Sequence, residues 1–133
     1  MQYPEIQKIF IVDADPFWTG VLLGALAKLG YYDITAFNSG ADCIEHLSEE
    51  PGLVFMDSQV EALCGRDVLY RIERHHPSIP VIFCSAQEDI PVAVKSMKGR
   101  SCHYISKTRI HKGELVSVID SAMRRQAFSQ EIY

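Results

Sequence analysis

The sequence predicts an α/β fold, a parallel five-stranded sheet between two layers of helices, and three observations carry that expectation. Five short apolar runs alternate with five segments of helical periodicity, the order that gives parallel strands joined by helical crossovers. The runs are apolar at consecutive positions, as strands covered on both faces are, rather than alternating between core and solvent. Four of them stop at a polar residue with chemistry to offer. Ile9-Phe10-Ile11-Val12 runs into Asp13, Leu53-Val54-Phe55-Met56 into Asp57, Val81-Ile82-Phe83-Cys84 into Ser85, and His103-Tyr104-Ile105-Ser106 into Lys107.

The elements follow in order. Strand one is about Lys8–Val12. Helix one places Trp18, Val21, Leu22, Ala25, Leu26 and Leu29 at the spacing of one apolar face. Asp15 before Pro16 reads as its N-cap with proline at the first helical position, and Gly30 stops it. Strand two is about Asp33–Phe37. Ser39 and Asp42 suit a capping box for helix two, which should run to about Glu49. Pro51-Gly52 turns the chain into strand three, Leu53–Met56. Helix three spans about Arg66–His75, with Val68, Leu69 and Ile72 inward and Pro77 after it. Strand four is Val81–Cys84. Helix four covers about Ile90–Lys98, with Asp89 as N-cap and Pro91 in its first turn. Strand five is about Cys102–Ile105, and helix five about Gly113–Arg125, closed by Arg124-Arg125. The tail Gln126–Tyr133 is expected to fray or to begin a linker. Five βα units in this length suit a flavodoxin-like (βα)5 three-layer sandwich of strand order 2-1-3-4-5 and not an eight-fold barrel.

Composition narrows the class. At 133 residues with 47% hydrophobic side chains, the chain suits one globular domain that buries about two-thirds of its unfolded surface. A net charge of −4 argues against unspecific nucleic-acid binding, which needs a basic face. No apolar stretch reaches membrane-spanning length, and Met1-Gln2-Tyr3-Pro4-Glu5 lacks the features of a signal peptide, so a cytoplasmic location is expected. Cys43, Cys64, Cys84 and Cys102 show no metal-ligand spacing and read as reduced, structural thiols. His75-His76 suits the C-terminal end of helix three, where imidazolium complements the helix dipole. His103 and His111 have no partner at ligand spacing. Trp18 stands near the acidic edge and is expected to be partly exposed.

In open α/β sheets, ligands bind outside the carboxyl ends of the strands. Two carboxylates, a hydroxyl and an ammonium should therefore meet on one edge. With Asp13, Asp57, Ser85-Ala86, Tyr104 and Lys107 in that order, and with the Asp57-to-Gly65 and Gly30-Tyr31 spacings, the chain resembles the receiver domain of bacterial two-component response regulators over about residues 6–125. The resemblance implies a receiver domain at 1–125 and a tail at 126–133. It implies that Asp57 is the nucleophile phosphorylated by a sensor histidine kinase or phosphotransfer protein. Lys107 and the Ser85 hydroxyl would serve the phosphoryl group, and Ser85 and Tyr104 would act as switch residues. Mg²⁺ would be held by Asp13, Asp57 and the backbone carbonyl of Gln59. The domain would catalyse only its own phosphorylation and dephosphorylation. A face of the fourth helix, fifth strand and fifth helix, with Val92, Lys95, Ser96 and Gly99 as exposed candidates, would report to an output domain or protein or form a homodimer. Nothing in the resemblance asks this domain to touch nucleic acid or membrane.

Three departures bear on that reading. Ala14 stands where the family usually has a second acid on the metal, which should weaken Mg²⁺ binding. Thr108 follows Lys107 where a cis proline is common; a cis bond there would cost roughly 3–4 kcal/mol, so a trans bond is expected. The loop Ser58-Gln59-Val60-Glu61-Ala62 carries Glu61 in place of the usual proline. Ala14 keeps open a phosphorylation-independent receiver acting as a protein-interaction module. A third class, a phosphatase opening on Asp13-Ala14-Asp15, lacks a late acidic pair and leaves Asp57 without a role.

Overall fold

β1 (Ile9–Val12) pairs in parallel with two neighbours, β2 (Ile34–Phe37) on one side and β3 (Leu53–Asp57) on the other. β4 (Val81–Ser85) pairs with β3, and β5 (His103–Ser106) with β4, giving the order β2-β1-β3-β4-β5. This is the predicted sheet. The structure is a computed structural model, and it describes residues 3–59, 67–86 and 103–132. The expected fourth helix with Asp89 and Pro91 lies outside those residues. So do Glu61, Gly65, Cys64, Cys102 and the candidates Val92, Lys95, Ser96 and Gly99.

Because strand side chains alternate between faces, each buried run feeds two cores. Ile9, Ile11, Leu53, Phe55, Ile82 and Cys84 face one layer, where they meet Trp18, Leu22 and Leu26 of α1 (Pro16–Lys28). Leu115, Ile119 and Ala122 of α4 (Lys112–Ile132) complete that layer. Phe10, Val12, Val54, Met56, Val81 and Phe83 face the other. There they pack on Cys43 of α2 (Gly40–Glu45) and on Val68, Leu69 and Ile72 of α3 (Asp67–His75). Continuous apolarity in the sequence is thus the trace of a sheet with helices on both sides.

The helix ends obey local chemistry. Asp15 caps α1, its side chain accepting the Phe17 N–H at 3.0 Å, with Pro16 in the first turn. Gly30, at φ 96°, ends it: the Gly30 N–H bonds the Ala27 carbonyl and the Tyr31 N–H that of Leu26. That pair of bonds is the Schellman arrangement, and its left-handed residue is best supplied by glycine. The Ser39 hydroxyl accepts the Asp42 N–H at 3.3 Å and opens α2.

Three expectations need correction. Helix two does not reach Glu49 as one α-helix; α2 ends at Glu45 and a 3-10 turn follows at Leu47–Glu49, leaving Glu50 left-handed at φ 54°. The turn keeps Leu47 in the core while closing the segment quickly. Helix five does not end at Arg125, because α4 continues to Ile132. Its last residues contain neither glycine nor proline, so nothing local ends the helix. Arg124 and Arg125 therefore lie inside α4, and Arg124 pairs with Asp120 one turn back at 2.9 Å.

Gly52 gives a direct stability test. Its N–H bonds the Lys8 carbonyl at 2.8 Å, and a Cβ there would sit 2.9 Å from the Glu5 carbonyl oxygen and 3.0 Å from the Ile6 Cα. Both obstacles are backbone, so the lead into β1 must shift. Gly52→Ala should destabilise by roughly 1–3 kcal/mol in urea unfolding; an unchanged midpoint would show that the segment before β1 yields freely.

Candidate functional site

β3 and β4 run one residue further than their apolar cores, so Asp57 and Ser85 are their last residues. Register aligns the ends: Val12 pairs with Met56, Asp57 with Cys84, and Ser85 with Ser106. Asp13 follows β1, its N–H held by the Phe37 carbonyl at 3.0 Å. Lys107 follows β5 and opens a 3-10 turn, Lys107–Arg109, in which the Ser106 hydroxyl accepts the Thr108 N–H at 3.3 Å. No described peptide bond is cis, so the Lys107–Thr108 bond is trans, as expected from the missing proline.

These ends frame one open cleft of about 360 Å³, lined by Asp13, Ala14, Asp15, Asp57, Ser58, Gln59, Ser85, Ala86 and Lys107. The Lys107 ammonium lies between two carboxylates, 2.6 Å from Asp13 Oδ2 and 3.1 Å from Asp57 Oδ1. All three side chains are largely shielded, at 13% exposure for Lys107, 3% for Asp13 and 11% for Asp57. Burial alone would disfavour the ammonium, but hydrogen bonds and charges from Asp13 and Asp57 outweigh it and raise the Lys107 pKa above its ordinary 10.5. The other oxygen of Asp13, Oδ1, accepts the Asp15 N–H at 2.8 Å. One carboxylate thus ties the start of α1 to the lysine that follows β5.

Ser85 is buried at the rim. Tyr104, in β5, is 48% exposed, with its ring outside the core. Ala14 is exposed on the cleft wall and contributes no charge. Ser58 and Gln59 continue from β3 in helical conformation and complete the wall opposite. Among the described residues no group of three or more His, Cys, Asp and Glu side chains could hold a metal ion. The acidic donors at the cleft centre are Asp13 and Asp57.

Two residues of the core border the cleft. Trp18 is 4% exposed, not partly exposed as its position near the acidic edge suggested. It heads the inward stripe Trp18, Leu22, Leu26, and its ring lies 5.6 Å from the Lys107 ammonium. Cys84 is a buried thiol beneath the carboxylates; burial pushes its pKa up, so it stays protonated. The periodicity that marked Trp18 as helical also marked it as inward-facing. Its ammonium neighbour depends on how β5 returns to the sheet.

A sequence profile of the response regulator receiver domain matches residues 9–120. The chain belongs to that family. It is 29% identical over 126 residues to the nitrogen assimilation regulatory protein NtrX of Azorhizobium caulinodans, covering 93% of this chain and 28% of that protein. It is 35% identical over 83 residues to the luminescence regulatory protein LuxO of Vibrio campbellii, covering 62% of this chain and 18% of that one. The chain therefore spans less than a third of the length of these curated relatives. Among solved structures, a response regulator receiver domain protein from Clostridium thermocellum superposes with a TM-score of 0.75 at 22% identity, over 91% of this chain and 97% of that one. That likeness shows the flavodoxin-like receiver fold. Among the described residues, no helix is long and apolar enough to cross a membrane.

Proposed function

We propose that this receiver domain, residues 1–125, accepts a phosphoryl group on Asp57 from a phosphohistidine of a sensor histidine kinase or phosphotransfer protein. The observation that carries the reading is the Lys107 ammonium held between Asp13 and Asp57 at the open ends of β1 and β3. One Asp57 oxygen attacks phosphorus while the P–N bond breaks, and the departing imidazole nitrogen keeps the electron pair and takes up a proton. Phosphoryl transfer asks the protein mainly for positioning and for neutralisation of oxygen charge. Lys107 supplies a positive charge already in place, and the Ser85 hydroxyl donates a hydrogen bond to a phosphoryl oxygen. As Ser85 moves inward, Tyr104 leaves its exposed position and follows. The switched face, formed by the helix expected at about Ile90–Lys98 together with β5 and α4, then meets an output domain or protein, or a second copy, in the cytoplasm. No nucleic acid or membrane is bound by this domain.

Asp13, Asp57 and the Gln59 carbonyl would hold Mg²⁺, which neutralises phosphoryl oxygen charge when bound. The donor set fits, since Mg²⁺ accepts one or two carboxylates and completes its shell with water and phosphate oxygens. Ala14 offers it nothing.

Intact mass after incubation with a small phosphodonor and Mg²⁺ tests the reading. The wild type should gain one phosphoryl group and Asp57→Asn none; persistent labelling of that variant would place the acceptor elsewhere. Ala14 also supports a second reading, a phosphorylation-independent interaction module. Failure of Mg²⁺ at millimolar concentration to alter Trp18 fluorescence, together with no labelling of the wild type, would favour it.

A further inference from the structure

We infer that Trp18 is a positioning residue for the phosphoryl transfer proposed above, holding the Lys107 ammonium over its ring face so that the lysine is in place before the phosphoryl group arrives. The inference rests on the Asp57 reading and adds a residue that no carboxylate or hydroxyl chemistry points to.

The geometry comes first. The Lys107 ammonium lies 5.6 Å from the centre of the Trp18 ring, within the range in which a cation is drawn to the negative face of an indole. The ring is itself fixed. Asp15 caps α1, Pro16 opens it, and the Asp15 N–H is held by Asp13, so Trp18 is tied within one turn to a carboxylate that pairs with Lys107. Two acids and an aromatic face then define the place of the ammonium from three directions. A lysine on a four-carbon stem otherwise has many conformations to lose, and confinement beforehand removes that cost from the reaction.

Packing alone is a poor account of tryptophan at this position. Its buried Nε1–H finds only the Cys84 thiol, a weak acceptor, a cost that phenylalanine or leucine would not incur. What the larger ring offers is its face. An aromatic face also differs from another carboxylate in a way that suits this cleft. It attracts the ammonium without adding negative charge where a dianionic group must enter, and without binding Lys107 so tightly that the phosphoryl group could not draw it away.

The test compares initial labelling rates by a small phosphodonor with Mg²⁺ for the wild type, Trp18→Phe, Trp18→Leu, Lys107→Met and Trp18→Leu/Lys107→Met. Trp18→Leu should slow labelling roughly 3- to 30-fold, and Trp18→Phe, which keeps a weaker ring face, should recover part of the loss. In the Lys107→Met background, Trp18→Leu should change the rate little, because the residue it acts through is gone. A purely structural role predicts equal losses in both backgrounds, with rates following thermal stability. Proton NMR of the unphosphorylated protein gives a readout independent of activity. The Lys107 ε-methylene should resonate upfield of other lysines through the ring current and should lose that shift in Trp18→Leu. An unshifted wild-type resonance, or equal losses in the two backgrounds, overturns the inference; if Lys107→Met is not labelled at all, the resonance decides. Normal labelling of Trp18→Leu at wild-type rate sinks the positioning role alone, whereas an unlabelled wild type sinks the Asp57 reading with it.

Discussion

Lys107→Met should unfold more easily than the wild type at neutral pH, and part of the loss should return on adding Mg²⁺. The ammonium is the positive charge that joins Asp13 and Asp57, at 2.6 and 3.1 Å. Methionine fills similar volume but leaves two shielded carboxylates facing each other. Removing one partner from a fully buried ion pair costs about 3–5 kcal/mol. This cleft opens to water on one side, so about 1–3 kcal/mol is the expected loss. A divalent cation that binds the folded cleft and not the unfolded chain restores stability by mass action. Denaturant midpoints with and without Mg²⁺ for both proteins measure the two effects together. The same variant should label on the order of 10- to 100-fold more slowly, as expected when a pre-positioned charge is taken from a site of developing negative charge. Equal midpoints in the absence of Mg²⁺ would mean that the carboxylates do not depend on Lys107.

The pH dependence has a definite sign. The folded-state pKa of Lys107 is raised above its ordinary 10.5, by Asp13 and Asp57 acting against burial. The stability that the ammonium contributes is therefore fully present below about 10.5 and is lost as pH rises through the higher folded value. The wild type should lose its advantage over Lys107→Met in that alkaline window and keep it from pH 7 to 10. Comparing the two proteins cancels titrations they share, such as that of Lys8, whose pKa is also raised.

What the sequence disclosed and what it hid divide along the range of the interactions involved. Strand positions and the sheet order were legible because every central strand is buried on both faces and ends in or just before a polar residue. The caps at Asp15, Gly30 and Ser39 were legible because each acts within a few residues of itself. The break after Glu45 was not, since the residues from His46 to Glu49 include no strong helix breaker and the tightening serves Leu47 in the core. The same reasoning ended helix five too early, because helix propagation needs only ordinary helix formers. At the site, the meeting of Asp13, Asp57 and Lys107 followed from strand order alone. The close approach of Lys107 to Asp13, and the tryptophan ring beneath it, depend on side-chain directions that no periodicity encodes.

Ala14→Asp should turn a weakly chelating cleft into a stronger one, and it is the substitution that most sharply separates the two readings of this domain. Position 14 lies exposed on the cleft wall beside Asp13, so an added carboxylate reaches the cleft without burial. Unit charges about 4 Å apart interact by roughly 4 kcal/mol near a protein surface, and a divalent ion doubles the attraction. Repulsion from Asp13 and Asp57, and water lost from the new carboxylate, take back most of that gain. A net improvement of about 1.4–2.8 kcal/mol, roughly 10- to 100-fold in Mg²⁺ affinity, is the expected balance. Trp18, the one tryptophan of the chain, reports the titration by its fluorescence. Without Mg²⁺ the variant should be less stable than the wild type, because a third negative charge joins two that share one ammonium; with saturating Mg²⁺ the order should narrow or reverse. If the wild type labels at high Mg²⁺ and Ala14→Asp labels at lower Mg²⁺, the natural alanine sets the metal threshold of a working receiver. If only Ala14→Asp binds metal and labels, the wild-type cleft has kept the fold and the lysine bridge while giving up the chemistry, and the interaction module is the correct reading. Unchanged affinity in Ala14→Asp would show that this wall of the cleft does not face the cation at all.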